Sequence, residues 1–575
     1  MIRGVGASEG IAIGKAFVKQ EADIAIVYRK ITDTSAELDR FNNAAEKCRI
    51  DLERRYNKTM NILGDEEAEV YNRHLGVFNG SILLGQVRKE IQELEVNAEH
   101  ILDEVKKKYA SMFDRVADDF LKKKSESIKY IAEQIIKELM EANQETLSEI
   151  TEPVIVVAAE IDSNDVIQLD KNKVLAIVTE GGGKSSYSAI IASNFVVPAV
   201  VGAKGIMASI KNGDELIVDG SKGEVIINPS EEEKNKYFKK VDKEREMLDV
   251  YKNYVSKKTE TKDGHFFELG VSADSLSQVV EGREAGAEGI GVMSTEFTFV
   301  GREKAPDLEI QFIAYRDIIT KAEGLPVIFR TLNCQMDNDI PYIYFQNERN
   351  PLMGNRGIRV TLSERDLFIG QLQAILKASA YGQAKIVFPM VLTIEELLDA
   401  KMAVEEAKMA LQEMNEFYDP DIQIGIVIET PSAAMMTDVF AAEVDFFVIG
   451  STNLLQFMNA VDRSSEQVAD LYDIFHPGPL RMIRHIVKSA HREGTWVSIA
   501  GDMTKNELMV PLFAAMGMDQ ICIEHENITR ARWSTSQMLK TRWDTYVEEV
   551  LNLKSGSEVQ GYLEGKYFEE VVGSN

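Results

Sequence analysis

From about Thr34 to Asn143 the apolar residues recur at intervals of three and four, as in Ile128, Ile131, Ile135 and Leu139, which lays a single stripe along one face of a helix. No proline interrupts this stretch, so it predicts several long amphipathic helices packed as a bundle, with charged runs such as Lys122-Lys123-Lys124 on solvated faces. Before it, Val5–Val18 alternates small and apolar residues like a pair of strands. After Pro153 the period changes to short β-rich runs at Val154–Ala159, Val174–Val178 and Glu215–Asp219, punctuated by Gly181-Gly182-Gly183 and by a hairpin signal at Asp219-Gly220. This is the pattern of a second, α/β domain. Assigning the opening strands to it makes the helical bundle an insertion. Ser230–Lys258, highly charged with apolar residues at helical spacing, predicts a connecting helix.

From Phe266 onward eight apolar strand-like runs alternate with helical stretches: Phe266–Val271, Gly289–Val292, Val327–Thr331, Lys385–Pro389, Gln423–Glu429, Phe446–Gly450, Trp496–Ala500 and Gln520–Ile523. Eight βα units are the signature of a (β/α)8 barrel, so the fold class is multidomain α/β ending in such a barrel. Reactive groups in these barrels stand at the C-terminal ends of strands. The candidates are therefore Ser294, Arg330, Glu429, Asn453 and Ala500, with Arg356 and Arg463 from nearby loops.

Length and composition narrow this picture. At 575 residues, and with about 150 residues per domain, the chain should form three or four units. Hydrophobic residues make up 45% and charged residues 27%, the balance of a globular protein. The formal charge of −28 repels nucleic acid and anionic membrane surfaces, so neither is an expected partner. No apolar run reaches the roughly 18 residues that span a bilayer, and the opening residues are not a signal peptide, which predicts a cytoplasmic protein. Cys48, Cys334 and Cys522 lie far apart without metal-ligand spacing, as expected in a reducing compartment with no structural zinc.

In so acidic a chain, arginines gathered at strand ends carry information. The planar fork of Arg330, Arg356 or Arg463 can take a carboxylate or phosphate by paired hydrogen bonds; alternatively, each can brace the barrel against a carboxylate of the protein. Glu429, ending an otherwise apolar strand, suits Mg²⁺, which takes one or two carboxylates plus substrate oxygens, or else a structural ion pair.

The segments Ile424–Ala434, Val444–Gly450 and Ala460-Val461-Asp462-Arg463, with Arg330-Thr331-Leu332, Asn350–Arg356, Arg359 and Phe388-Pro389-Met390, are similar to the phosphoenolpyruvate-binding barrel of the Enzyme I family of the bacterial sugar phosphotransferase system. Gly4–Gly14 resembles that family's opening, Gly181–Gly202 its phosphohistidine loop, and Arg73-His74-Leu75 falls where the family docks the carrier protein HPr. The resemblance implies a phosphohistidine-type α/β swivel domain over 1–30 and 146–229 and an inserted HPr-binding-like bundle over 31–145. A linker helix over 230–258 and a phosphoenolpyruvate-binding-type barrel over 259–575 would follow. It further implies Mg²⁺ as cofactor, phosphoenolpyruvate and HPr as partners, and a homodimer formed through the barrel. In that family the barrel passes the phosphoryl group to a swivel-domain histidine, which hands it to HPr.

Several residues depart from the family's pattern. Where its loop carries the acceptor histidine, Gly182–Ile190 carries Tyr187, and an unperturbed tyrosine, with a pKa of about 10, is a poor nucleophile at neutral pH. His100 and His265 are the nearest histidines along the chain and are expected to be structural. A metal-ligating aspartate is replaced by Asn453, the cysteine proposed as proton donor by Ala500, and a phosphate-clamping arginine by Ser294. An aspartate and a lysine become Asn333 and Asn338. Acceptor, metal ligand, acid and clamp are altered together, so the expectation is a degenerate member acting by binding or regulation. The alternative is an active phosphotransferase passing phosphate to HPr. A related dikinase would need a nucleotide-binding domain before the loop.

Overall fold

The computed structural model describes residues 1–19, 26–62, 71, 73–78, 81–113, 119–140, 147, 150–161, 165, 169–183, 186–195, 197–336, 338, 340–463, 465, 467–468 and 471–573. The chain divides into two compact units, Met1–Glu244 and Arg245–Asn575.

The first unit is built on one sheet of eight strands: β1 (Ile2–Arg3), β2 (Val5–Ser8), β3 (Ile11–Val18), β4 (Val154–Ala158), β5 (Val174–Thr179), β6 (Ala199–Val201), β7 (Glu215–Asp219) and β8 (Glu224–Ile227). Their order is β1-β8-β7-β3-β4-β5-β6-β2. The stretch Val5–Val18 is two strands, β2 and β3, which lie apart in the sheet rather than side by side, and the expected hairpin joins β7 to β8. β3 pairs in parallel with β4, Phe17 opposite Val156, which places the opening residues in the same sheet as the residues after Pro153. Side chains alternate across a strand, so Ile155 and Val157 enter one core with Val178 and Val218, while Val156 and Ala158 enter another with Ile177 and Ile191. Burial on both faces is why β4 is an unbroken apolar run. The helix α5 (Tyr187–Phe195) follows the glycine-rich loop.

Between β3 and β4 the chain folds α1 (Thr34–Ile62), α2 (Ser81–Leu94), α3 (Ala98–Phe113) and α4 (Asp119–Leu139). The stripe Ile128, Ile131, Ile135 and Leu139 is buried among Phe41, Val87, Ile91 and Leu102, as its spacing predicts. Lys122, Lys123 and Lys124 fall in α4, with their side chains outside the described residues. Arg40 on α1 bonds Glu37 at 2.6 Å and Glu99 at 2.7 Å, tying α1 to α3. His74 is buried, stacked on Tyr130 with ring centroids 4.3 Å apart, and its Nδ1 has no hydrogen-bond partner. Burial, with the nearby Arg73 charge adding to it, pushes its pKa down to about 4.

α6 (Glu231–Lys252) carries the chain into the second unit. There, eight parallel strands close into a barrel: β9 (Glu268–Ala273), β10 (Gly289–Ser294), β11 (Val327–Arg330), β12 (Ala384–Phe388), β13 (Gln423–Ile428), β14 (Phe446–Gly450), β15 (Trp496–Ala500) and β16 (Gln520–Ile523). All eight expected runs are strands, with ends moved by a residue or two. Val292, Ile328, Val387, Val427, Val448, Ala500 and Cys522 point inward and plug the barrel, while a larger apolar layer packs the strands against the helices. Arg532, in helix Ile528–Gln537, is 1% exposed and donates to the carbonyls of Tyr254 at 2.9 Å and Val255 at 2.8 Å, to Gly286 O at 2.5 Å and to Thr259 Oγ1 at 3.1 Å. It pins the residues that enter the barrel.

Two stability predictions follow from these contacts. Replacing Arg532 by Met leaves the half-buried carbonyls of Tyr254, Val255 and Gly286 without their donor and should destabilise the barrel by about 3 kcal/mol. All three tryptophans, Trp496, Trp533 and Trp543, lie in the second unit, so tryptophan fluorescence during urea unfolding reads this change in that unit alone. In the bundle, the unfolded chain protonates His74 near pH 6.5 but the folded chain only near pH 4. Bundle stability should therefore be at its plateau above about pH 6.5 and fall as the pH drops toward about 4. Hydrogen exchange of bundle amides should show this slope, and His74→Phe should flatten it.

Candidate anion site in the barrel

The C-terminal end of the barrel holds a cavity of about 420 Å³. Its floor is the top of the inner plug, formed by Val292, Val427, Val448 and Ala500. Ser294 ends β10 and Arg330 ends β11; Glu429 is the first residue beyond β13, and Asn453 lies in the first turn of α7 (Ser451–Asn459), directly after β14. Arg356 and Arg463 reach in from loops, and Ala500 ends β15. All seven barrel residues singled out from the sequence line this one cavity.

The charged lining groups are Arg330, Arg356, Arg463, Glu296 and Glu429, a surplus of one positive charge in a chain of net charge −28. The arginines divide between the two roles open to them. Arg330 is braced: its Nη2 bonds Glu296 Oε1 at 3.0 Å and Ser294 Oγ at 3.1 Å, and the same Glu296 oxygen accepts from Asn333 N at 2.9 Å. Arg356 is buried, and its hydrogen bonds go only to Leu352 O at 3.4 Å and Asn333 Oδ1 at 3.5 Å among the described residues. Burial holds its pKa below the ordinary arginine value; Glu429 opposes the shift, while Arg330 and Arg463 add to it. The Nε–H groups of Arg330 and Arg356 are buried without a partner. Arg463 Nη1 donates to Asn453 Oδ1 at 3.3 Å.

Glu429 is 3% exposed and accepts two hydrogen bonds, from Met390 N at 2.7 Å on Oε2 and from Asn453 Nδ2 at 2.5 Å on Oε1. Met390 adopts a φ of +60°, a left-handed conformation that costs a non-glycine residue about 1–3 kcal/mol and here aims its N–H at the carboxylate. Gly450 makes room for the same group, because a Cβ there would lie 2.8 Å from Glu429 Cγ. Sequence reasoning gave no role to Glu296 or to the Met390 N–H. Glu296 follows Ser294 by two residues, a spacing that could have suggested it; the Met390 N–H leaves no side-chain signal.

This donor set is a poor fit for Mg²⁺, which is held by one or two carboxylates plus substrate oxygens, because Glu429 has the neutral Asn453 beside it in place of a second carboxylate. Glu429 is the carboxylate beside Asn453, and Asn453 presents its NH2 to it rather than an oxygen. Turning the amide over would set its carbonyl against the carboxylate and its NH2 against Arg463, losing both hydrogen bonds. No group of three His, Cys, Asp or Glu side chains able to hold a metal occurs among the described residues.

In the first unit, β5 leads into Gly181-Gly182-Gly183, where Gly182 has a φ of +90° and a Cβ would meet Ser186 Oγ at 2.8 Å. The backbone of Tyr187 opens α5; Lys184, Ser185 and the Tyr187 side chain lie outside the described residues.

Family models match the chain in three places: PEP-utilising enzyme, N-terminal, over 3–124; PEP-utilising enzyme, mobile domain, over 150–223; and PEP-utilising enzyme, PEP-binding domain, over 249–540. The phosphoenolpyruvate-protein phosphotransferase of Priestia megaterium is 36% identical over 98% of this chain and 99% of its own length. This chain belongs to the phosphoenolpyruvate–protein phosphotransferase family. The family's protein from Bacillus subtilis (strain 168) is 35% identical over 98% of this chain and 99% of its own. The solution structure of an Enzyme I protein, nEIt, is 32% identical over 43% of this chain and 100% of that one, at a TM-score of 0.39. Among the described residues of this phosphotransferase relative, no helix is long and apolar enough to cross a membrane.

Arg356 is a buried cation close to three like charges, Arg330, Arg463 and Arg359, a configuration that stores instability. Arg356→Met should stabilise the anion-free barrel by about 1 kcal/mol and abolish its stabilisation by added phosphate. Thermal unfolding with and without phosphate, followed by tryptophan fluorescence, measures both effects.

Proposed function

We propose that this member of the phosphotransferase family has lost the relay from phosphoenolpyruvate to a histidine and acts by binding or regulation. The observation that carries this reading is Tyr187 in the place of the acceptor, at the start of α5. A phosphoramidate on imidazole transfers onward readily, whereas an ester on a phenol holds its phosphoryl group, and the phenol itself is protonated at neutral pH. The barrel supports the same reading. Where the family has a thiol acid, the cavity floor has the methyl group of Ala500, which can neither give nor take a proton. Ser294 stands in place of the clamping arginine and serves as a partner of Arg330. What persists is the capacity to hold an anion, through Arg356 and Arg463, neither of which has a carboxylate within ion-pair distance among the described residues.

The bundle would dock an HPr-like carrier. Arg73 is exposed on it, whereas His74 is buried, so in this reading the arginine makes the contact. A homodimer through the barrel completes the reading by resemblance, with a cytoplasmic location. The rival reading, an active phosphotransferase delivering phosphate to HPr, is favoured by relatives that carry the phosphotransferase name over 98% of this chain.

Incubation with phosphoryl-labelled phosphoenolpyruvate and Mg²⁺, with and without HPr, separates the two. The expected result is no label on either protein and no pyruvate, and Tyr187→His alone should remain inactive because the barrel also lacks its acid. Label reaching HPr from the unaltered chain would overturn the reading. An acid-stable label confined to this chain would mark a phosphate ester, on Tyr187 or another hydroxyl, and overturn it equally.

A further inference from the structure

Asn453 lies between a carboxylate and a guanidinium and satisfies both. Its Oδ1 accepts from Arg463 at 3.3 Å and its Nδ2 donates to Glu429 at 2.5 Å. The other Glu429 oxygen is already held by Met390 N at 2.7 Å. A side-chain amide carries one acceptor and two donors, and these two neighbours dictate which end faces which. The amide hydrogens therefore point toward the carboxylate oxygen that a cation would need to share.

We infer that the Asn453 amide takes the place of a divalent cation in this cavity, so that the barrel binds a small carboxylate- or phosphate-bearing anion through arginine alone. The inference rests on the reading of the barrel as an anion site and deepens it. The charges agree: with Arg330 engaged by Glu296, Arg356 and Arg463 remain to receive an anion, and Glu429 is screened by hydrogen bonds rather than by a metal. Two guanidinium forks suit a ligand with two oxygen-bearing groups, or one group held from both sides. A cavity of about 420 Å³ has room for a small organic acid.

Phosphoenolpyruvate serves as the probe, titrated calorimetrically into the full chain in EDTA and again in millimolar Mg²⁺. The expected affinities agree within about twofold. In parallel, Mn²⁺ alone is added and read by electron paramagnetic resonance; the unaltered protein should leave it free. Asn453→Asp places two carboxylates side by side. That variant should bind Mn²⁺ at least about tenfold more tightly than the unaltered chain, and its thermal midpoint should fall in EDTA and recover on adding Mn²⁺.

Binding of phosphoenolpyruvate only with Mg²⁺, Mn²⁺ held by the unaltered chain, or no phosphoenolpyruvate binding in either buffer would each overturn the inference. An Asn453→Asp chain that stays folded and gains no Mn²⁺ affinity would overturn it too. Loss of the relay is tested separately by label transfer. Metal-free binding together with label on HPr would remove the proposed loss of activity and leave this inference standing.

Discussion

A buried carboxylate must be given hydrogen-bond donors, and at the top of this barrel the way Glu429 receives them orders everything around it. One donor is a backbone N–H on Met390, reached only because that residue accepts a left-handed conformation. The other is the Asn453 amide, whose orientation is set in turn by Arg463. Three strands' ends and a loop are joined through this chain of donors and acceptors. Gly450 is part of the same constraint, since the space beside Glu429 admits no side chain there. The polar rim above the apolar plug therefore behaves as one unit, and a change at any member passes to the others.

The same rim concentrates positive charge where the rest of the molecule is acidic. At long range the net charge of −28 disfavours the approach of anions, and in the low-dielectric mouth of the barrel two guanidinium groups reverse that preference. Such a site selects ligands small enough to leave the outer field behind. Glu296 moderates it by engaging Arg330, and so divides three similar cations into one structural and two receptive groups.

Much of this was legible in the chain. The barrel strands are buried on both faces and so write themselves as short apolar runs, which is why Val292, Val427 and Val448 could be placed before the structure was known. Polar residues closing such runs, such as Ser294, Arg330 and Glu429, identify the rim. Less legible was which arginine is braced, because the Glu296 partner of Arg330 lies on a neighbouring strand's exit and only the fold brings the two together. Least legible was the Met390 N–H, since nothing in a methionine's identity announces a positive φ. The direction of the Asn453 amide also depends on neighbours distant in sequence, at 429 and 463.

The helical bundle enters between β3 and β4, strands that lie side by side in parallel. Val18 and Val157 cannot meet until every residue of the bundle has left the ribosome. A flexible segment of that length would make their encounter slow, because loop closure must be completed before the pairing gains anything. A bundle that has already folded through its local helix–helix contacts shortens the effective loop to the distance between its two ends. The insertion is thus positioned to act as an early-forming clasp for β3 and β4, while β1 and β2 must wait longer, for β8 and β6 to be synthesised.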